Sequence, residues 1–157
     1  MITNNKFQEL TNTKRIWAVG SLHSSLEPFQ SIKKYILSNF KDGDKLIFLG
    51  NLIGYNNSSK EIITDVLGFR FNLMAKFKLD NDHVVFLRGA QEEMFSKILQ
   101  LQIAPNPTEI INWMFDHGVD KTLNSYGFTN NEVIDIASSG TVTISKWTSK
   151  LNKLKVC

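Results

Sequence analysis

Residues able to do chemistry follow three short apolar runs, each closed by a glycine. RIWAVG, Arg15 to Gly20, leads into Ser21, Leu22 and His23. KLIFLG, Lys45 to Gly50, leads into Asn51, Leu52, Ile53 and Gly54. VVFLRG, Val84 to Gly89, leads into Ala90, Gln91 and Glu92. His23 and Glu92 could help hold one cation, and Arg88 could bind a phosphate; Asn51 carries no charge. Each also has a structural reading, and we favour it. His23 is then a rim histidine bonded to backbone. Arg88 pairs with Glu92 or Glu93. Glu92 and Glu93 sit in the first turn of a helix, where the macrodipole favours negative charge. One histidine and such carboxylates fall short of the three protein ligands of a typical catalytic zinc.

The elements that must position these residues follow from the apolar pattern. The three runs are rich in branched and aromatic residues and too short for helices. They read as strands buried on both faces. Phe29, Ile32, Ile36 and Phe40 recur at steps of three and four, with Pro28 near the first turn, and predict a helix that KDGD at 41–44 ends. Ser59 is the expected cap of a second helix carrying Ile62, Ile63, Val66, Leu67, Met74 and Phe77, loosened around Gly68. Met94, Phe95, Ile98 and Leu99 mark a third, ended by Pro105 and Pro107. Alternating strand and helix predicts a parallel sheet with right-handed crossovers. Ligands of such sheets bind beyond the carboxyl ends of the strands. The three post-glycine segments therefore converge on one rim.

The last third has weaker signals. INWMFDHG predicts a short helix with Trp113 inward, and NEVIDIA is a helix turn or a strand. TVTIS alternates and reads as a strand. KWTSKLNKLKVC is a lysine-rich surface helix or a disordered end, so 141–157 is a poorly determined tail.

Composition bounds the rest. The 157 residues predict one domain, 1–157, with 42% hydrophobic and 21% charged residues, ordinary for a globular chain. Eighteen basic against fifteen acidic residues give +3, and the pI is near 9.0. That mild excess suits phosphate-bearing ligands, but a solvated lysine surface is the simpler reading. The one cysteine, Cys157, excludes an internal disulfide framework. The polar first fifteen residues lack the apolar centre of a signal peptide, and no run is long enough for a membrane span. The expected location is cytoplasmic, with no membrane partner.

In order and separation, the three rim segments resemble the calcineurin-like metallophosphoesterases, in particular the phosphoprotein phosphatase and diadenosine tetraphosphatase branch. GSLHS at 20–24 stands where that family has Gly-Asp-x-His-Gly. GNLIGYN at 50–56 stands for Gly-Asp-x-x-Asp-Arg-Gly, and RGAQE at 88–92 for Arg-Gly-Asn-His-Glu. WMFDHGVDKTLNSYG, 113–127, is similar to a stretch of bacterial members containing Thr-Leu, then Ser-Tyr-Gly. The resemblance covers 15–127. It implies an α/β fold, a parallel-sheet core with flanking helices corresponding to the N-terminal part of a metallophosphoesterase.

The family reaction uses two metal ions that activate water and clamp a phosphoryl group. Two dications ~3.5 Å apart repel by roughly 19 kcal/mol at an effective dielectric of about 20, so anionic ligands must offset that. Here the first aspartate position is Ser21 and the bridging aspartate is Asn51. The asparagine ligand is Ala90, which cannot coordinate, and the general-acid histidine is Gln91. Gly54 and Tyr55 stand for a further aspartate and arginine. His23, Arg88 and Glu92 match the pattern. The two later histidine ligands have no counterpart after His117. The resemblance therefore implies a degenerate, catalytically inactive phosphatase-like protein that folds without metal and keeps a weak anion- or protein-binding rim. An exposed sheet edge suggests self-association, a protein partner or a covering tail. Two alternatives stand beside this. One is an active phosphoester hydrolase with an altered site for manganese, iron or zinc. The other is a binder of nucleic acid or an acidic partner through the lysines of the tail.

Overall fold

A computed structural model describes residues 9–154. Strand β1 (Arg15–Val19) is followed by helix α1 (Leu26–Asn39), β2 (Asp44–Phe48), α2 (Ser59–Phe77), β3 (Val84–Phe86) and α3 (Ala90–Ile98). Among the described residues four further α-helices follow: α4 (Pro107–Asp116), α5 (Val119–Ser125), α6 (Asn130–Ser138) and α7 (Thr141–Leu151). The strands are parallel in the order β1-β2-β3, with Trp17 opposite Leu46 and Leu46 opposite Val84. The expected alternation of strand and helix is present, and the fold is α/β. Among the described residues, no helix is long and apolar enough to cross a membrane.

One face of the sheet carries the core. Leu46 and Phe48 are fully buried, and Phe29 of α1 packs against Phe48 and against Phe69 of α2, with ring centroids 6.3 and 5.9 Å apart. Phe86 stacks on Phe48 at 4.9 Å. The buried cluster continues through Ile111 and Met114 to Val133, Ile144, Trp147 and Leu151.

Several expectations are corrected here. The strands are not buried on both faces: Ile16, Ala18, Leu49 and Leu87 are exposed, because among the described residues no layer covers the second face at those positions. TVTIS is not a strand but the start of α7. Ile144, Trp147, Thr148 and Leu151 recur at helical spacing and are buried, while Val142, half of the apparent alternation, is exposed. The tail is therefore part of the core up to Leu151, with Lys146 and Lys150 on its exposed side; 155–157, with Cys157, lie outside the described residues. Lys146 and Lys150 therefore belong to a packed helix rather than to a free tail. NEVIDIA is helical, and the Thr129 hydroxyl caps it by accepting from the Glu132 N–H.

Trp113 is exposed rather than inward. Ile111 and Met114 form the inward stripe of α4, and the indole lies over His117 at 4.3 Å. Ser58, not Ser59, is the cap position of α2, and Gly68 does not interrupt that helix. Helix α3 ends at Ile98, before either proline, and Pro107 opens α4 at its first turn.

Candidate functional site

The rim forms where the strands end, and two glycines let it close. Gly50 has φ +91°, and a Cβ there would lie 2.2 Å from the Gly89 backbone nitrogen. No side chain fits between the ends of β2 and β3. Asn51 follows in the left-handed region at φ +52°, which asparagine tolerates better than most residues. Its carbonyl accepts from the N–H groups of Leu22 (3.0 Å) and His23 (2.9 Å), and the Ser24 N–H donates to the Leu52 carbonyl. Segments 21–24, 51–54 and 90–92 are thereby tied together, as expected from the pattern.

Glu92 is the central charge of this rim, and it is buried. Its Oε2 accepts from the N–H groups of Asn51 and Gly89, both at 2.8 Å. Its Oε1 accepts from Leu52 at 2.8 Å and Ile53 at 3.4 Å. The Gly89 bond is the return half of a capping box on α3. Four backbone donors thus consume the carboxylate. The Asn51 amide does similar work on the other side. Its Oδ1 accepts from the Gln91 N–H at 3.0 Å, and its Nδ2 donates to Ser21 Oγ at 3.3 Å. One amide uses its acceptor on one neighbour and its donor on another, which an aspartate carboxylate cannot do.

The remaining positions are equally structural. Gln91 is buried, and its Nε2 donates to the His117 carbonyl at 2.8 Å. A Cβ on Gly54 would meet its Oε1 at 2.2 Å, so the glutamine occupies the space that Gly54 leaves open. Ala90 is exposed at the start of α3. Arg88 is exposed and pairs with Glu93 at 3.5 Å, one of the two structural partners expected for it. His23 has φ +46° and stands edge-on to Tyr55 at 5.0 Å. Its Nδ1 is buried without a hydrogen-bond partner, so the expected ring bond to backbone is not made by that atom. The His23 carbonyl instead accepts from Asn56 Nδ2 at 2.7 Å.

Sequence reasoning missed a hydroxyl chain beneath the rim. Ser24 Oγ lies 2.6 Å from Ser59 Oγ, which lies 3.1 Å from Thr122 Oγ1, and that hydroxyl accepts from the Gly54 N–H. All three side chains are buried. Buried small hydroxyls need partners, but nothing in the sequence pairs residues so far apart.

The donor set does not fit a pair of divalent cations. Ser21 and Asn51 are neutral and bonded to each other, Ala90 has no donor, and Glu92 is turned to backbone. Among the described residues, the group of three acidic and histidine side chains close enough to share an ion is Asp80, Asp82 and His83, next to the amino end of β3. There Asp82 already bonds Lys45 Nζ at 2.6 Å and contacts His83 at 3.1 Å. What the rim does is hold its own backbone in fixed register, with Arg88 and Glu93 as its exposed charges. No protein-family model, curated protein or solved structure matches the chain.

Proposed function

We propose that this chain is a degenerate, catalytically inactive phosphatase-like relative of the metallophosphoesterases, retained as a metal-independent scaffold whose rim offers at most a weak anion- or protein-binding surface. The supporting observation is the Asn51 side chain, which spans from Ser21 Oγ to the Gln91 N–H where a bridging carboxylate would be required. The one buried carboxylate of the rim, Glu92, is satisfied by backbone N–H groups, so no metal is needed to neutralise clustered carboxylates. Manganese titration, chelator treatment and p-nitrophenyl phosphate turnover test this together. The expected result is no binuclear binding, no chelator effect on melting temperature, and no manganese-dependent turnover.

A second reading rests on the unpartnered Nδ1 of His23. It is an altered hydrolase that holds a single ion there with ligands from elsewhere. Manganese-dependent turnover abolished by His23→Ala would replace the first reading with this one.

A further inference from the structure

We propose that Tyr55, Asn56 and Asn57 form a flap that closes over the His23 side chain and opens as a unit between two fixed ends. Buried bonds set those ends. Gly54 donates its N–H to Thr122 Oγ1 at 3.1 Å. The Ser59 hydroxyl lies between those of Ser24, at 2.6 Å, and Thr122, at 3.1 Å. Gly54 and Ser59 are buried, whereas the three residues of the flap are all exposed. Gly54, at φ +88°, supplies a hinge whose backbone is free of side-chain restriction.

The flap is fastened by a few contacts at the surface. Tyr55 donates its N–H to the Gly118 carbonyl at 3.3 Å. Its ring lies against Gly118, where a Cβ would come within 2.9 Å of both the ring and the Tyr55 nitrogen. Asn56 Nδ2 donates to the His23 carbonyl at 2.7 Å and to Ser25 Oγ at 3.3 Å. Tyr55 nevertheless stays 52% exposed. Solvent-exposed bonds with little apolar burial mark the segments that open locally while the rest of a fold stays closed.

The closed flap also carries costs that opening removes. Tyr55 at φ +60° and His23 at φ +46° are both left-handed. Residues with a side chain hold that conformation only where their surroundings enforce it. His23 Nδ1 is buried without a partner among the described residues, with the Tyr55 ring edge-on to the imidazole at 5.0 Å. An unpartnered buried nitrogen is destabilising, and lifting Tyr55 returns it to water. Opening therefore gives up the bonds of Tyr55 and Asn56 but recovers strain and desolvation. Such an offset keeps the open state populated as a minor conformer. Access to His23 Nδ1 is then gated by the flap, whether the rim is inert or holds an ion.

Amide exchange and relaxation measurements on the full chain test the gate. In the wild type the Tyr55 amide should exchange faster than that of Gly54, and faster than that of Leu49, which bonds the Val19 carbonyl at 2.9 Å. The His23 ring should show microsecond-to-millisecond exchange at the rate of the Tyr55 amide. Asn56→Ala removes two fastenings at an exposed position. It should speed Tyr55 exchange about tenfold and leave Gly54 and Leu49 unchanged. Gly118→Ala places a methyl group against Tyr55 and should act in the same direction; if it fails to fold, Asn56→Ala decides alone. A Tyr55 amide as protected as Leu49 in the wild type overturns the proposal. So does a factor in Asn56→Ala that is equal at all three amides, or a His23 ring that does not share the motion.

Discussion

The two ends of the sheet each close around one buried carboxylate, but with opposite kinds of partner. At the carboxyl end, Glu92 accepts from four backbone N–H groups of two loops. At the amino end, Asp44 faces mainly side chains. Its Oδ2 accepts from Arg15 NH2 at 2.6 Å, Trp17 Nε1 at 2.9 Å and the Lys41 N–H at 2.9 Å. The Arg15 guanidinium also lies 4.4 Å from the Trp17 ring centre. One end uses its acid to fix main chain, the other to neutralise a cation. A rim holding two metals would need its carboxylates free, and the buried carboxylate of this rim is bonded to backbone.

Removing Glu92 should produce the largest loss. A buried acceptor serving several donors leaves each of them unsatisfied when truncated, at about 1–3 kcal/mol per group. Glu92→Ala is expected to cost at least about 3 kcal/mol, which for a chain of this size lowers the melting temperature by about 6–12 °C. Denaturant melts of the two proteins measure it directly. A cost below about 1 kcal/mol would mean that water replaces the carboxylate and that the contrast between the two ends is false.

Asp44 should give a smaller effect with a clear pH signature. Burial pushes its carboxyl up, but the hydrogen bonds from Arg15, Trp17 and Lys41 outweigh that and hold it at about 2, below the ordinary 3.8. The folded state therefore binds this proton less readily than the unfolded one. The stabilisation is present above the ordinary value and is lost as pH falls towards about 2. Asp82 is also lowered, chiefly by its hydrogen bond from Lys45, and adds to the same window. Stability should fall between about pH 5 and pH 2, and Asp44→Asn should flatten that fall in part while costing about 1–3 kcal/mol at neutral pH. Equal slopes in wild type and variant would remove Asp44 from the acid response.

The sequence showed the three strands and the helices between them because their apolar periods differ and their ends carry glycine or proline. It also showed the convergence on one rim, which topology alone dictates. Two kinds of feature were not legible. Tertiary burial decided the tail: Trp147 and Leu151 pull 141–151 into a helix against a local alternation that favours a strand. Partners distant in the chain decided the rim: Ser24, Ser59 and Thr122 meet through a fold the pattern does not specify. The open sheet face was hidden for the reverse reason, since an uncovered apolar strand reads the same as a covered one.

Arg88 gives the smallest expected effect and separates rim structure from rim binding. Its guanidinium is exposed and lies 3.5 Å from a Glu93 carboxylate that is itself exposed. Exposed pairs of this kind are worth about 0–1 kcal/mol. Arg88→Ala should therefore leave the melting temperature within about 4 °C of wild type, in contrast to Glu92→Ala a single helical turn away. The same variant decides whether the side chain serves an anion. A ligand that binds the folded state raises its stability by mass action. If Arg88 grips phosphate, millimolar phosphate should raise the wild-type melting temperature and leave the variant unmoved. If it pairs only with Glu93, phosphate should shift neither protein beyond the effect of an equal ionic strength of chloride, and that is the outcome expected here.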